Sequence, residues 1–460
     1  MEKTKKKFKV PHSYVIITCI LLLVSILTFI IPAGEYTRTV DETGTEIIHT
    51  DDFHYVEQSG VNPLRIPSLI MQSLSKQSEI IFSLLVIGGA FEVVLKTGMF
   101  QAYLTRLSKR CGGKGIWLIP LFTLLFGVLG MTQAANKFIA FAPVGVLLAS
   151  ALKLDSIVGV AMVLLGSGVG FSTGILQPTT ALAQEIAGLP AYSGIGMRVI
   201  SFVLFYLVTV AYIIHYARTT LKDPTRSLVY GMELSQTNVA DDAYVELKAK
   251  HLPILLAVVA TFGVIMYGSV QLSWSFQEMA VCFIWMMLVV GAINRNTPSE
   301  IAKTFIQGAK GMLGASMVVG LGATVALILS EGNILDTVVK SSSQVLMLLP
   351  QILRAPGMLI VNVIINVFVT SGSGQAAIVM PIMAPLADIS GITRQTAVLA
   401  FKLGDGFCNY ILPHATAVMG YLGVTGVPFD RWFKFMWKLF LIWMLLGSAI
   451  LMFATFINYT

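Results

Sequence analysis

Charged residues are scarce in this sequence. They make up 12% of its 460 residues, whereas a soluble domain usually carries about 25%, and 55% of the residues are hydrophobic. Apolar runs that reach the ~20 residues of a membrane-spanning helix recur along the whole length, and no polar stretch is long enough for a separate catalytic domain. The sequence therefore predicts an all-α polytopic membrane protein, embedded in a lipid bilayer.

Cysteine is scarce too, and its distribution argues against a metal centre. The cysteines lie far apart, three of them within apolar runs, and none has the spacing of a metal-ligand motif. They are Cys19, Cys111, Cys282 and Cys408. We expect structural thiols, no bound metal and no cofactor. The net charge of +7 comes from short clusters of Lys and Arg beside apolar segments, which indicates membrane orientation and no nucleic acid partner.

The sequence also lacks the context that a catalytic serine needs. Residues 170–174 read GFSTG, the G-x-S-x-G pattern of serine hydrolases, but that pattern is catalytic only at a sharp strand-to-helix turn. No strand precedes it, and "GFSTGILQP" recurs later as "GFCNYILP", where Cys408 replaces Ser172. A repeated stretch of this kind is typical of a helix break, and we predict no enzyme. The predicted breaks lie at Gly170, Pro178, Gly406 and Pro413.

Basic clusters predict the orientation in the membrane. Residues 1–13 are strongly basic and precede the first apolar run, and the loop at 35–63 is acidic. Because Lys and Arg mark the cytoplasmic side of membrane proteins, we expect a cytoplasmic N-terminus. A polar loop at 219–250 is also expected in the cytoplasm, and the apolar segment at 251–273 is predicted to be a connecting transmembrane helix.

Two long apolar segments are interrupted at their centres. The segment at 116–151 carries "GMTQAANK" in its middle, and the segment at 346–388 carries "TSGSGQAA". Each is predicted to form a re-entrant helical hairpin, because non-helical backbone at membrane depth is tolerated only where protein buries it or where it lines a cavity. Broken transmembrane helices are predicted to follow at 157–188 and 393–427.

An internal repeat relates the two interrupted segments. "TQAANKFIAFAP" aligns with "GQAAIVMPIMAP", and the two helix breaks align as described above. The copies, 14–218 and 276–460, would each cross the membrane an even number of times, so the extra span at 251–273 inverts the second copy. Inverted-topology repeats with paired interrupted segments indicate a secondary active transporter whose substrate binds near the bilayer midplane.

Three stretches carry a resemblance to a known family. They are the start "FKVPHSYVIITCILLLVSILTFIIPAGEY", the "SGSGQAA" hairpin and the "LGDGFCNYILPHA" break. Together they resemble the YfcC-like and DcuC-type carriers, a branch of the ion transporter superfamily, over essentially the whole chain. The resemblance implies a prokaryotic plasma (inner) membrane protein that carries dicarboxylates or exchanges basic amino acids. It also implies a homodimer in which a hairpin-bearing transport domain moves as an elevator against a scaffold.

The resemblance further implies which residues bind the small-molecule substrate. In the family, hairpin tips and helix breaks supply the polar contacts. In this chain they correspond to Thr132, Gln133, Asn136, Ser172, Thr173, Ser371, Ser373, Gln375, Asp405 and Asn409. The Ser-Asn-Thr tips that bind sodium and carboxylate in the superfamily's dicarboxylate carriers read Met131-Thr132-Gln133 and Gly372-Ser373-Gly374 here. Coupling to H⁺ or to Na⁺ is therefore left open.

Elementary chemistry narrows the roles within this site. Half-helix N-termini offer unpaired N–H groups and a positive dipole end to a substrate carboxylate. Asp405 is expected to bind a substrate amine or to carry a proton, because a carboxylate at membrane depth is costly and usually functional. Alternatively, Lys402 neutralises it from one turn away. Lys137 either binds a carboxylate or pairs with Asp405, and His414 either titrates as a coupling group or makes a structural hydrogen bond.

Three functions fit these features. The one we favour is antiport of basic amino acids, in which helix dipoles hold the α-carboxylate and Asp405 holds the amine. The second is ion-coupled transport of four-carbon dicarboxylates or other small organic anions, with Lys137 or Arg394 as a further positive partner. The third is a non-transporting receptor or an intramembrane enzyme, for which the sequence offers no catalytic dyad. The direction of flux and the role of the loop at 219–250 stay open.

Overall fold

The computed structural model describes residues 13–40, 46–100, 102–103, 106, 115–232, 247–272 and 274–460. Positions 1–12 of the predicted basic N-terminus and positions 233–246 of the predicted cytoplasmic loop lie outside these residues. The described chain is mostly helical. Seven of its helical stretches are long and apolar enough to cross a membrane, so the protein is a multi-pass membrane protein, as the composition predicted.

The α-helices of the described residues are numbered here in chain order. Those of the first half are α1 (Ser13–Ile30), α2 (Ile66–Lys76), α3 (Ser78–Leu95), α4 (Leu118–Gly130), α5 (Ala142–Ala151), α6 (Ser156–Thr173), α7 (Pro178–Ile186) and α8 (Ile195–Lys222). Those of the second half are α9 (His251–Gln271), α10 (Phe276–Ile293), α11 (Pro298–Glu331), α12 (Leu335–Met347), α13 (Gln351–Phe368), α14 (Gly372–Ile389), α15 (Arg394–Cys408), α16 (Thr416–Thr425) and α17 (Phe429–Phe456).

A β-hairpin follows α1, and the prediction of an all-helical chain is wrong there. Strands β1 (Gly34–Val40) and β2 (Glu46–Tyr55) pair in antiparallel register. The hairpin is fastened to the start of α12, because Asp336 accepts a hydrogen bond from the backbone N–H of Tyr36 at 3.1 Å. The ammonium of Lys340 lies 3.7 Å from the ring centroid of Phe53. Polar and β-branched residues outside the apolar runs thus form strands rather than an irregular loop.

Capping residues explain where two long helices of the second half begin. Ser275 and Glu278 form a capping box at the start of α10, and Thr297 and Glu300 form another at the start of α11. Each box satisfies backbone N–H groups that would otherwise lack partners. From Pro298, α11 continues without interruption for 34 residues.

Both interrupted segments fold back on themselves. In the first, α4 and α5 are joined through a short loop and the 3-10 helix Ala135–Phe141. Its two ends meet, since a Cβ on Gly115 would lie 2.5 Å from Cδ2 of Leu152. In the second, Arg354 near the start of α13 donates to the carbonyl of Ser390, just after α14, at 2.9 Å. Each segment therefore returns to the region where it began; we call α4–α5 hairpin 1 and α13–α14 hairpin 2.

The broken helices are interrupted after the glycines that were expected to break them. Helix α6 ends at Thr173, followed by Gly174 at a φ of 65°, and α7 begins at Pro178. Helix α15 ends at Cys408, and the non-helical segment before α16 contains Pro413. We call these interruptions break 1 (174–177) and break 2 (409–415).

The predicted helix breaks at Gly170 and Gly406 are wrong, because both residues lie inside helices. Close packing explains why glycine stands there. A Cβ on Gly170 would lie 2.0 Å from the carbonyl oxygen of Gly127, and a Cβ on Gly406 would lie 2.2 Å from Oγ of Ser172. Small residues in membrane helices let neighbouring backbones approach closely. The two glycines therefore mark helix crossings.

The helices pack in two groups. Helices α3 and α11 pack along each other, with α1, α2, α9 and α10 beside them. The second group contains both hairpins, both broken helices, α8 and α17. The two groups meet where α16 lies against α11. Both interrupted segments and both breaks therefore belong to one packing unit.

Within the second group, the two halves of the chain interlock. Helix α7, which follows break 1, packs on α14 of hairpin 2 and on α15. Helix α16, which follows break 2, packs on the 3-10 helix and α5 of hairpin 1, and on α6. Each broken helix thus supports the hairpin from the opposite half, which brings the breaks towards the hairpin tips.

Candidate functional site

The site is built around the crossing of α6 and α15 just before their breaks. Gly406 of α15 packs on Ser172 of α6, and the hydroxyl of Tyr410 donates to the carbonyl of Gly168 at 3.2 Å. Ser172 is fully buried, and its Oγ has no hydrogen-bond partner among the described residues. The crossing therefore joins break 1 and break 2 and leaves an unpartnered hydroxyl between them.

A buried ion pair lies beside this crossing. The Nζ of Lys402 is 2.9 Å from Oδ2 of Asp405, and both side chains have no exposed surface. The same Nζ lies 3.5 Å from the ring centroid of Phe171 on α6. Removing two charges from water is costly unless their geometry and hydrogen bonds offset the loss. The pair that the sequence offered as an alternative role for Asp405 is thus formed.

Amide side chains of hairpin 2 extend the ion pair into a polar network. Nδ2 of Asn366 donates to Oδ1 of Asp405 at 3.2 Å and to Oε1 of Gln375 at 2.9 Å. Nε2 of Gln375 donates in turn to Oδ1 of Asn362 at 3.1 Å. All four of these side chains are buried. The network holds Asp405 against both arms of hairpin 2.

The tip of hairpin 2 covers the carboxylate. A Cβ on Gly372 would lie 2.9 Å from Oδ2 of Asp405, so a larger residue at the tip would displace the carboxylate. Ser371 is the N-cap of α14, and both Ser371 and Ser373 are exposed. Asn409 donates through Nδ2 to the backbone carbonyl of Asp405 at 2.7 Å. The predicted residues of the second half thus lie together, from an exposed tip to a buried carboxylate.

The side-chain amide of Gln177 in break 1 holds the tip of hairpin 1. Nε2 of Gln177 donates to the carbonyls of Gly130 and Gln133 at 2.5 and 2.9 Å. Oγ1 of Thr132 donates to the carbonyl of Leu129 in α4 at 3.2 Å, and Oγ1 of Thr173 donates to the carbonyl of Val169 in α6 at 2.9 Å. Thr132, Gln133 and Thr173 thus lie beside break 1, and both threonine hydroxyls bond to backbone carbonyls.

Lys137 and His414 both bond to backbone carbonyls. Nζ of Lys137 donates to the carbonyl of Trp274 at 2.9 Å, so the predicted pairing of Lys137 with Asp405 is wrong; Lys402 takes that position. Nε2 of His414 bonds to the carbonyl of Val367 at 2.7 Å. This contact favours the structural hydrogen bond that was the alternative for His414.

Several buried polar atoms near the breaks have no hydrogen-bond partner among the described residues. They are Oδ1 of Asn136, Oγ of Ser172, Oγ1 of Thr179 and of Thr180, Oδ1 of Asn366 and of Asn409, and Nδ1 of His414. Buried polar atoms almost always bond to protein or water, so exceptions mark places for an unseen ligand or water. No group of three or more potential metal ligands occurs in the described part of the chain.

Three polar residues of this region were missed at the sequence level. Asn362 and Asn366 stand four residues apart within the apolar run "VNVIINVF", a spacing that places both on one helix face and could have revealed them. Arg198 of α8 is fully buried; its Nη2 donates to Oε1 of Gln395 at 3.0 Å, while Nε and Nη1 have no partner in the described residues. No motif surrounds Arg198, so only the fold reveals its burial.

Comparison with known proteins assigns this chain to a family. The profile of the DcuC family, described as C4-dicarboxylate anaerobic carrier, matches residues 10–456. An Escherichia coli protein named "Putative basic amino acid antiporter YfcC" is 30% identical over 94% of this chain and 94% of its own length. An uncharacterized protein of Haemophilus influenzae is 27% identical over 98% of this chain and 97% of its own.

Two solved transporter structures are more distant. The YdaH transporter of Alcanivorax borkumensis is 15% identical, with a TM-score of 0.43 over 98% of this chain and 99% of its own. MtrF of Neisseria gonorrhoeae, described within a class of antimetabolite efflux pumps, is 14% identical, with a TM-score of 0.43 over 97% and 96%. At these scores, neither adds to the family assignment.

The family profile and the curated relatives all cover nearly the full length of the chain. They point to a membrane transporter, in agreement with the repeated apolar helices and with the expectation that the protein is not an enzyme. The resemblance read from the hairpin and helix-break motifs is confirmed, and the chain belongs to the DcuC family.

Proposed function

We propose that this protein is a secondary active antiporter of basic amino acids, with its substrate site between the two hairpin tips and the two breaks. The observation that carries the proposal is Asp405, a carboxylate without exposed surface beneath the tip of hairpin 2. A carboxylate at this depth is retained for a function more often than for stability. It supplies the negative charge that a substrate ammonium or guanidinium requires.

The α-carboxylate of an amino acid suits the helix N-termini at the breaks and at the tip of hairpin 2. Helices α7, α14 and α16 begin at break 1, the tip of hairpin 2 and break 2, and helix N-termini attract carboxylates through free N–H groups and the helix dipole. The unpartnered hydroxyl of Ser172 lies nearby, at the crossing of α6 and α15. The α-carboxylate of the substrate would bind there while Asp405 binds the positive group.

The packing of the helices supports an elevator mechanism. We propose that the two halves are inverted-topology repeats and that the group containing hairpins and broken helices moves against the group of α3 and α11. The hairpins and breaks lie in one packing unit, as a carrier of this kind requires. In the same proposal the protein is a homodimer of the prokaryotic inner membrane with a cytoplasmic N-terminus. Either H⁺ or Na⁺ would serve as the coupling ion.

Transport of four-carbon dicarboxylates is the second candidate, and one observation favours it. The family description names these substrates, and the guanidinium of Arg198 is buried with two of its nitrogens unpartnered in the described residues. A second carboxylate would satisfy such a group. The cations first expected in that role are engaged elsewhere: Lys137 bonds to Trp274, and Arg394 pairs with Asp388 at 2.7 Å.

Exchange in proteoliposomes tests the proposal. Vesicles preloaded with unlabelled arginine or ornithine should take up labelled arginine, and empty vesicles should not. Asp405→Asn should abolish this uptake, while Glu185→Gln, which changes an exposed carboxylate of α7, should leave it unchanged. Uptake that survives Asp405→Asn contradicts the proposal. Entry of succinate or fumarate in place of arginine, together with its loss in Arg198→Gln, would establish the second candidate instead.

A further inference from the structure

The Lys402 ammonium lies between a carboxylate and an aromatic ring, the arrangement of a cation-binding site. A carboxylate oxygen of Asp405 lies 2.9 Å from Nζ, and the face of Phe171 lies 3.5 Å from it on another side. Carboxylates and aromatic faces are the two groups by which proteins recognise alkylammonium and guanidinium ions. Lys402 therefore fills a cage that would equally suit the positive end of a separate molecule.

The cage lies between the two breaks rather than inside one helix. Asp405 and Lys402 belong to α15, whereas Phe171 belongs to α6. The alkyl chain of Lys402 passes over break 1, since a Cβ on Gly174 would lie 2.6 Å from Cγ of Lys402. The unpartnered Oγ1 of Thr180 lies 2.4 Å from the same Cβ position. The lysine side chain thus occupies space within the proposed substrate site.

Charge balance allows only one cation at a time to pair with Asp405. One buried carboxylate compensates one cation, and a second cation beside it would be buried without a partner, which is strongly unfavourable. A cationic substrate and the Lys402 ammonium therefore cannot share Asp405.

We propose that Lys402 is a tethered ligand of the cation subsite formed by Asp405 and Phe171, and that the ammonium or guanidinium group of the substrate displaces it. This inference rests on the proposed function and gives Lys402 a role in it. With Lys402 in place, the Asp405–Lys402 pair carries no net charge. When the substrate displaces Lys402, the ammonium stays on the protein, and the α-carboxylate of the substrate would compensate it in place of Asp405.

Chemical rescue tests the inference without any transport measurement. In Lys402→Ala the cage is open, and n-propylammonium chloride supplies the three carbons and the nitrogen that the substitution removes. We expect Lys402→Ala to unfold at a lower temperature than the wild type, and millimolar n-propylammonium to restore most of the loss. Sodium chloride with 1-propanol should restore none. Equal responses to the ammonium and to the alcohol would overturn the inference.

A second variant covers the case in which Lys402→Ala does not fold. Lys402→Met keeps the length of the side chain up to Cε and opens only the position of Nζ, so ammonium chloride is its probe and sodium chloride its salt control. Lys340→Ala is the matched control variant, because the Lys340 ammonium lies over Phe53 but forms no ion pair among those found in the described residues. It should show no rescue. Failure of ammonium to stabilise Lys402→Met would also overturn the inference.

The outcomes separate the two proposals. If the wild type exchanges arginine but neither variant responds to its ammonium probe, the tethered ligand is excluded and the proposed function stands. If the probes stabilise the variants but arginine exchange is absent, the cation subsite stands and the proposed substrate is wrong.

Discussion

The two hairpin-and-break units differ in chemistry although their sequences were predicted to be repeats. Hairpin 2 and break 2 enclose the Asp405–Lys402 pair and a chain of three buried amide side chains. Hairpin 1 and break 1 are joined by Gln177, whose amide donates to backbone carbonyls. Both units therefore contain a hairpin and an interrupted helix, while the buried ion pair occurs in the second unit. A substrate bound between the units would meet that ion pair on one side and hydroxyl or amide groups on the other.

The largest effect should come from unbalancing the ion pair of the second unit. Lys402→Met leaves the Asp405 carboxylate buried without a counter-charge, and we expect a loss of about 3–5 kcal/mol in the free energy of unfolding. The double variant Lys402→Met/Asp405→Asn removes both charges and should recover most of that loss. Denaturation of the purified protein in detergent measures both. A double variant no more stable than the single one would show that the charges do not depend on each other.

The crossing of α4 and α6 within the first unit should rank second. Gly170→Ala would place Cβ 2.0 Å from a backbone oxygen of Gly127, and overpacking of this kind costs about 1–3 kcal/mol. Gly196→Ala in α8 is the control, because no atom lies within 4 Å of its Cβ position. Thermal unfolding of both variants gives the comparison. Equal midpoints would mean that α6 and α4 separate freely.

The contact between break 1 and the tip of hairpin 1 should have a smaller effect than either. Gln177→Ala removes the donor of two buried carbonyl contacts, and we expect a loss of about 1–2 kcal/mol in unfolding free energy. Gln351→Ala is the matched change in hairpin 2, where an exposed amide donates to the carbonyl of Gly391 at 2.8 Å. Its effect should stay within about 0.5 kcal/mol. If Gln177→Ala destabilised as strongly as Lys402→Met, the contrast between the units would be lost.

The smallest effects should occur at the exposed tip of hairpin 2. Ser371→Ala removes the N-cap of α14 and should cost about 1 kcal/mol. Ser373→Ala, two residues later and also exposed, should change stability by less than about 0.5 kcal/mol. A loss of exchange in Ser373→Ala at unchanged stability would identify Ser373 as a substrate contact. Unchanged exchange would confine the second-half site to the buried residues.

The backbone interruptions were predictable from sequence because local chemistry determines them. Pro178 begins α7 and Pro413 lies in break 2, since proline removes a donor and limits the preceding residue. The polar stretch "GMTQAANK" does separate α4 from α5, whereas only Thr370 and Ser371 of "TSGSGQAA" lie between α13 and α14, and its other residues begin α14. Gly170 and Gly406 were wrongly predicted to break their helices, because glycine in a membrane helix can either end the helix or let another helix approach closely. The second role cannot be recognised locally, since the approaching helix lies elsewhere in the sequence.

The composition of the site was less predictable, because its members come from distant parts of the chain. Asn366 meets Asp405 across 39 residues, and Phe171 meets Lys402 only because α6 crosses α15. Lys137 was expected near Asp405 because it stands beside a hairpin tip, yet it extends to Trp274, 137 residues away. Proximity to a motif gives the position of a Cα atom, whereas the direction of a long side chain depends on tertiary packing.

The unequal lengths of α3 and α11 make the tilt of these helices depend on the thickness of the bilayer. At about 1.5 Å per residue, the 34 residues of α11 measure about 51 Å and the 18 residues of α3 about 27 Å. A hydrocarbon core is about 30 Å thick, so α3 is slightly shorter than the core, while α11 must tilt or project into the aqueous phase. Because the two helices pack along each other, shorter or longer acyl chains would change their common tilt. Hydrophobic mismatch would thus change the tilt of the same helices against which the hairpins are proposed to move.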